Sequence, residues 1–365
     1  MRFMPISFVK EGTLLGKNIC NEKGKTLLAK GTRLSSNYIK RIKSFGIYSI
    51  YIMDKYSDVE LNDIISPQIR SKAIIKLKET YNSFEHDYSN NNLYNKNSID
   101  KADKNISSIS NIAEELLDDI LCQKDIMVNL VDIKSADNYT YEHCLSVSIF
   151  SIILGIELGL KKEHLKYLAI GSLLHDIGKT LTPSKILNKN GKLTNQEFKI
   201  MKKHALDGYE YLKASNKIPS PARIIALQHH EKIDGSGYPK GLKQEQIYFL
   251  AKIVSICDVY DALTSDRPYR SAMTPNDALE FLYANCSNHF DINLVRKFSN
   301  KIIPYPIGTM VKLSNKNIGI VKSINTGFPL RPKIKILSTN NTIDLMTQKN
   351  IVIESIVYNE NEALA

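Results

Sequence analysis

Cysteine is scarce in this chain of 365 residues, and what there is sits badly for cross-linking. The five cysteines, Cys20, Cys122, Cys144, Cys257 and Cys286, are scattered, odd in number and without a C-x-x-C pair. That pattern excludes a disulfide framework and a zinc ribbon, and it fits a reducing, cytoplasmic setting. A leader is missing too: Met1 to Lys10 has no charged, apolar, small-residue progression, so no export is expected. No apolar run reaches the roughly 20 residues of a bilayer span. The most apolar stretch, Cys144 to Leu160, is interrupted by Ser146, Ser148, Ser151 and Glu157 and reads as a buried core helix, with no membrane insertion. The net charge is +11, yet there is no compact basic stripe with interleaved aromatics. DNA and RNA are therefore not expected partners. The charge reads as a lysine-rich surface, or as a field that helps an anionic ligand approach.

What is present divides the chain by texture. Residues 1–60 form a small mixed or β module, in which short apolar runs are separated by Gly12, Gly16, Gly24, Gly31 and Gly46, with one helix from Ser35 to Ser44. Residues 61–98 hold a helix, Pro67 to Phe84, and an Asn-rich stretch that reads as a linker. Residues 99–303 are helical almost throughout, with apolar faces recurring at three-to-four spacing in 106–121, 142–158, 162–174, 195–212, 221–230, 247–263 and 275–284. Residues 304–365 change to alternating β-branched texture over 309–313, 318–324, 333–337 and 351–357. The expected fold is mainly α: an all-α bundle core flanked by small β-rich modules at both ends.

Within the helical region seven metal-capable side chains follow one another: His143, His175, Asp176, His204, His229, His230 and Asp258. A lone histidine such as His143 or His204 is more often a hydrogen-bonded core residue than a ligand. Context changes that reading. His175-Asp176 ends an apolar helix, with Gly178 as a natural stop. His229-His230 repeats the arrangement just before the loop formed by Asp234, Gly235 and Gly237. Adjacent helical residues point about 100° apart, so each dipeptide can serve two ions, or one ion and a substrate. Two such dipeptides suggest two metals. Imidazole with carboxylate suits iron, manganese, zinc, cobalt or nickel better than calcium.

As a group these residues resemble the HD-GYP family, a branch of the HD phosphohydrolase superfamily. The resemblance runs from about Tyr139 to Asp291 through YTYEH, LLHDIGK, ILNKNGKLT, MKKH, HHEKIDGSGYP, DVYDALTSDRPYR and HFD. It implies an HD-type helical bundle in which all seven residues ligate two divalent transition-metal ions, iron or manganese, with Asp176 as the bridge. In some relatives a carboxylate four positions before the first histidine helps to hold a third ion; here that position is Tyr139, which favours a binuclear site.

The implied activity is hydrolysis of cyclic di-GMP to linear pGpG, and in some members onward to GMP. Paired cations lower the pKa of a bridging water, and the hydroxide attacks phosphorus in line. Asp176 would hold the bridge, and Lys179 would set its ammonium against a phosphate oxygen as charge develops. Arg267 and Arg270 would hold phosphates by paired hydrogen bonds, Tyr238 would pack beside a guanine or shape the pocket, and Asp261 would orient a histidine. Departures from the family pattern fall at Gln244, Tyr248, Lys252 and Ile292, none of them a ligand. Lys202 and Lys203 read as solvated helix faces. Two alternatives stand beside this reading: the same chemistry on another cyclic dinucleotide, and a catalytically silent sensor or scaffold. Homodimerisation and partner proteins at the terminal modules stay open.

Overall fold

A computed structural model describes residues 1–20, 26–54, 64–89, 96–123, 139–189, 191–215, 217–265, 272–325 and 327–358. The N-terminal module contains β1 (Arg2–Pro5), β2 (Leu14–Leu15), β3 (Ile19–Cys20), β4 (Thr26–Leu28), α1 (Ser36–Ser44) and β5 (Ser49–Met53). Strand β5 lies between β1 and β2 in an antiparallel sheet, in register from Arg2↔Ile52 to Pro5↔Ser49 on the β1 side. Its three central residues are all buried, as suits a strand paired on both edges and covered on both faces. Ser35 caps α1 by accepting from the Tyr38 amide at 3.3 Å.

The helical core comprises α2 (Pro67–Ser89), α3 (Lys96–Leu121), α4 (Tyr139–Glu157), α5 (Lys162–Leu174), α6 (Ser184–Leu187), α7 (Asn195–Lys202), α8 (His204–Ala214), α9 (Ser220–Gln228), α10 (Phe249–Thr264), α11 (Pro275–Ala284) and α12 (Ile292–Ser299). Helix α4 is buried without interruption from His143 to Gly155, so it has no solvent face and forms the centre of the bundle. Of the described helices only α4 is long and apolar enough to cross a membrane, and most of it lies inside the protein. Helices α5 and α10 pack on α4, and α9 packs on α5. Each fully buried Leu, Ile or Phe there contributes about 1.5–3 kcal/mol.

The bundle differs from the periodicity-based expectation in several places: α6 and α12 are not among the expected segments, and α3 begins at Lys96, well before the expected 106. The expected helix over 195–212 is two helices, α7 and α8, parted at Lys203. Lys203 keeps right-handed helical angles, φ −64° and ψ −25°, so the apolar period runs on through the break and conceals it. Helix α2, grouped by sequence with the linker, packs into the bundle: Ala73, Leu77, Tyr81 and Phe84 join the same core as α4 and α5. The Tyr81 hydroxyl donates to Leu173 O at 3.3 Å and lies 3.2 Å from Cys144 Sγ. Phe84 stacks on Tyr211 at 3.9 Å between ring centroids.

The C-terminal module is an antiparallel sheet of β6 (Met310–Leu313), β7 (Ile318–Ser323), β8 (Lys333–Ile336), β9 (Thr342–Asp344) and β10 (Ile353–Ile356), in the order β10-β6-β7-β8-β9. Strand β9 is absent from the sequence expectation, because three residues among polar neighbours carry too little alternation to register. The two terminal modules meet although they lie at opposite ends of the chain. Phe8 stacks on Tyr358 with centroids 5.0 Å apart, and a cavity of about 550 Å³ between the modules is lined by Arg2, Lys10, Arg33 and Met310 among others.

Candidate metal centre

The seven predicted ligands arrive from five places. His143 sits on α4; His175 caps α5 and Asp176 follows it; His204 opens α8; His229 caps α9, followed by His230; and Asp258 lies on α10. The structure brings them together as two groups, Asp176, His204, His229 and His230 on one side and His143, His175 and Asp258 on the other. Within each group the ligand atoms all lie within 4.8 Å of one another.

Asp176 joins the groups through its two oxygens. Oδ1 faces His204 Nε2 at 3.5 Å and His229 Nε2 at 3.7 Å, while Oδ2 faces His175 Nε2 at 3.5 Å and His143 Nε2 at 3.8 Å. Each oxygen therefore points into a different half of the cluster.

Backbone geometry aims the imidazoles. His175 Nδ1 lies 2.6 Å from Ser172 O, His204 Nδ1 2.7 Å from Met201 O, and His229 Nδ1 2.8 Å from Ala226 O. In each case the acceptor is a carbonyl three residues back, near a helix end. With the Nδ1 proton donated there, Nε2 carries the free lone pair and turns inward. His143 uses a carboxylate instead: its Nδ1 lies 2.6 Å from Asp261 Oδ2, and its Nε2 3.0 Å from Asp258 Oδ1. Asp261 thus occupies the orienting position expected for it.

These environments set the protonation states. Burial pushes His175 down to about 4 and His204 to about 3, against the pull of the Asp176 carboxylate, and His230 also falls well below its ordinary value. For His143 burial acts in the same direction, but hydrogen bonds to Asp258 and Asp261 outweigh it and raise the ring to about 10. Burial works against ionisation of Asp176 and Asp258 too. Lys179 and His175 nevertheless hold Asp176 well below the usual carboxylate range, and His143 does the same for Asp258.

Metal fits this donor set. His175 Nε2 and Asp176 Oδ1 are buried without a hydrogen-bond partner, an arrangement too costly to keep unless something else binds them. The donors are imidazole and carboxylate, those of a borderline transition metal. Cys144 Sγ also comes within reach of His175 and Asp176, but burial raises its thiol far above the ordinary range and it is held by Tyr81, so it is left out of the set.

Around the cluster, Lys179 Nζ donates to Asp176 Oδ2 at 2.5 Å. Gly178, read from sequence as a helix stop, serves instead to allow a close approach, since a Cβ there would come 2.0 Å from His204 O and 2.7 Å from Gly208 N. Its bare backbone lets the 3-10 turn Ile177–Leu181 lie against α8 and so bring Asp176 to His204. Gly237 plays a similar part in the later loop, where a Cβ would meet Lys232 N at 2.3 Å. The loop folds back until the Tyr238 amide donates to His230 O at 3.1 Å, and the Tyr238 ring tilts over His230 at 4.7 Å.

Sequence reasoning passes over Glu231. It is buried and accepts from the amides of Lys240 at 2.7 Å and Leu242 at 2.9 Å, holding the loop against the site. Its only signal is a charged residue between a histidine pair and a glycine-rich loop. Tyr139, in place of the carboxylate expected at a third ion, stacks parallel to His143 at 5.9 Å. Arg267 and Arg270 lie outside the described residues.

A helical bundle carrying a buried histidine-aspartate cluster defines the HD-domain class, and residues 129–294 match the HD domain family. Residues 310–364 match the KOW domain associated with HD domain. The chain is 30% identical over 265 residues to a cyclic di-GMP phosphodiesterase of Thermotoga maritima, an alignment covering 68% of this chain and 70% of that protein. It is 37% identical over 227 residues to a cyclic di-GMP phosphodiesterase of Pseudomonas aeruginosa, covering 62% of this chain and 55% of that one. It is also 38% identical over 166 residues to a 3'3'-cGAMP-specific phosphodiesterase of Vibrio cholerae, covering 46% and 38%. The chain thus spans little more than half of the Pseudomonas protein and less of the Vibrio one. With its HDIGK and GYP segments, it belongs to the HD-GYP branch of the HD-domain family.

Proposed function

We propose that the chain is a metal-dependent phosphodiesterase that hydrolyses cyclic di-GMP to the linear dinucleotide. The observation that carries this reading is the split aim of Asp176, one oxygen into each half of a seven-residue donor set. Two divalent ions, when bound, would lower the pKa of a water and neutralise charge developing on a phosphate. His143, His175 and Asp258 would hold one ion, and His204, His229 and His230 the other, with Asp176 shared. Lys179, partly exposed beside Asp176, would present its ammonium to a non-bridging phosphate oxygen. Arg267 and Arg270 would hold phosphates, and Tyr238 would shape the pocket. The relatives in Thermotoga and Pseudomonas that bear the name cyclic di-GMP phosphodiesterase support the choice of substrate.

The test is incubation of iron- or manganese-reconstituted protein with cyclic di-GMP, products resolved by chromatography, beside His175→Ala. Linear product from the intact protein, lost in the variant, is expected. No product under either metal sinks the reading. A second reading keeps the chemistry and changes the substrate to 3'3'-cGAMP, favoured by the similarity to the Vibrio cholerae enzyme named for it. The donor set reads phosphate and not base, so the two dinucleotides should be compared side by side by kcat/KM.

A further inference from the structure

One wall of the metal centre carries an aromatic and cationic group that plays no part in holding metal. Phe198, on α7, presents a ring that is 43% exposed at the rim of the site. Lys202, one turn further on, places Nζ 4.6 Å from the Phe198 ring centroid and 5.2 Å from that of Tyr238. The two rings meet edge to face at 6.2 Å, and Tyr238 in turn lies 4.7 Å from His230. The three side chains therefore run outward from a metal-ligating imidazole to solvent.

Two observations mark the group as built for a ligand. First, Lys202 lies over two aromatic rings and, among the described residues, makes no ion pair. Its ammonium is held by ring faces alone, which leaves its charge available to an anion. Second, helix α7 is placed firmly: Thr194 and Glu197 form a reciprocal cap at its start, and Lys189 holds Glu197 at 2.6 Å. A half-exposed ring on a fixed helix, beside the loop that covers a metal centre, offers a face on which a base can stack.

We infer that Phe198 is the stacking platform for a purine base of the substrate, and that Lys202 holds the adjoining phosphate. This rests on the cyclic-dinucleotide reading above and adds a specificity-determining subsite to it. Tyr238 has one face turned to His230, so Phe198 offers the more open ring. An aromatic face accepts guanine and adenine alike. The platform thus selects for a base-bearing diester and leaves the choice between purines to other contacts.

The chain contains no tryptophan, which makes the test direct. Phe198→Trp puts a single indole on the platform, and Phe328→Trp puts one on an exposed position of the C-terminal module as a control. Titration of each metal-loaded variant with cyclic di-GMP should quench the first saturably and leave the second unchanged. Phe198→Ala should raise KM at least about fivefold, the lower end for loss of one stacked base, while kcat stays within about twofold. Lys202→Gln should raise KM and reduce its dependence on salt. An unquenched Phe198→Trp at concentrations that saturate turnover overturns the platform, as does an unchanged KM in Phe198→Ala. If the protein fails to hydrolyse cyclic di-GMP yet the indole is quenched, the platform stands and the hydrolytic reading falls. If neither occurs, both fall.

Discussion

The two halves of the metal centre are built from the same residue types and balanced differently. The half formed by Asp176, His204, His229 and His230 is rich in imidazole; backbone carbonyls orient two of its rings, and burial pushes His204 down to about 3, so it is neutral at any ordinary pH. The half formed by His143, His175 and Asp258 sets one imidazole between two carboxylates, Asp258 and Asp261, which keep His143 protonated to about pH 10. One half is ready for a cation as it stands. The other holds a proton where a cation would go. Asp176 divides its oxygens between the halves, and Asp258 also crosses, its Oδ2 lying 3.8 Å from His230 Nδ1, so the halves can be separated experimentally everywhere except at these two carboxylates.

The largest effect is expected where they join. Asp176→Asn should lower turnover on the order of a thousandfold or more, and reduce bound metal from about two ions per chain to below one, by elemental analysis. Near-normal metal content would mean that the halves are independent. Next, His204→Ala and His175→Ala each remove one donor from one half. Each should leave about one ion per chain and cost about a hundredfold or more in rate; loss of both ions from either variant would show that binding is cooperative through Asp176.

A smaller effect should follow Asp261→Asn, which leaves every donor in place and weakens the orientation of His143. Metal affinity of the His143 half should drop about 10- to 100-fold in calorimetric titration, with the other half unchanged. The mildest test is pH. Because His143 holds its proton up to about 10, ligation through Nε2 must release one proton between pH 7 and 9, so binding to that half should tighten by about tenfold per pH unit. His175 and His204, pushed down to about 4 and 3, have already lost theirs and add no pH dependence in that range. Proton release measured in buffers of different ionisation enthalpy checks this, and equal pH slopes for both ions would erase the contrast.

His175-Asp176 and His229-His230 are legible as dipeptides at helix ends before a glycine, while the single residues His143, His204 and Asp258 are legible only through the family motifs that hold them. The helices themselves are legible from apolar period, with boundaries mostly within a few residues. Other features leave no linear trace. Glu231 matters because its carboxylate meets two amides 9 and 11 residues away, and a single charged residue does not announce such bonds. Lys202 looks in sequence like any solvated lysine, and its place over Phe198 and Tyr238 depends on a loop 36 residues later folding back. Helix α2 reads as a separate helix before a linker, yet its Tyr81 reaches the helices that carry His143 and His175.

Local chemistry in the chain dictates which segments are helical and which residues can bind metal, while phosphate chemistry is what the resemblance of its motifs to the HD-GYP family implies. Those properties depend on side-chain type and on spacings of a turn or two. Which donors share an ion, which oxygen of Asp176 faces which histidine and which imidazole keeps its proton were decided by packing alone. Such matters turn on distances of a few ångströms between residues up to 118 positions apart, as for His143 and Asp261, and only burial in one bundle sets them.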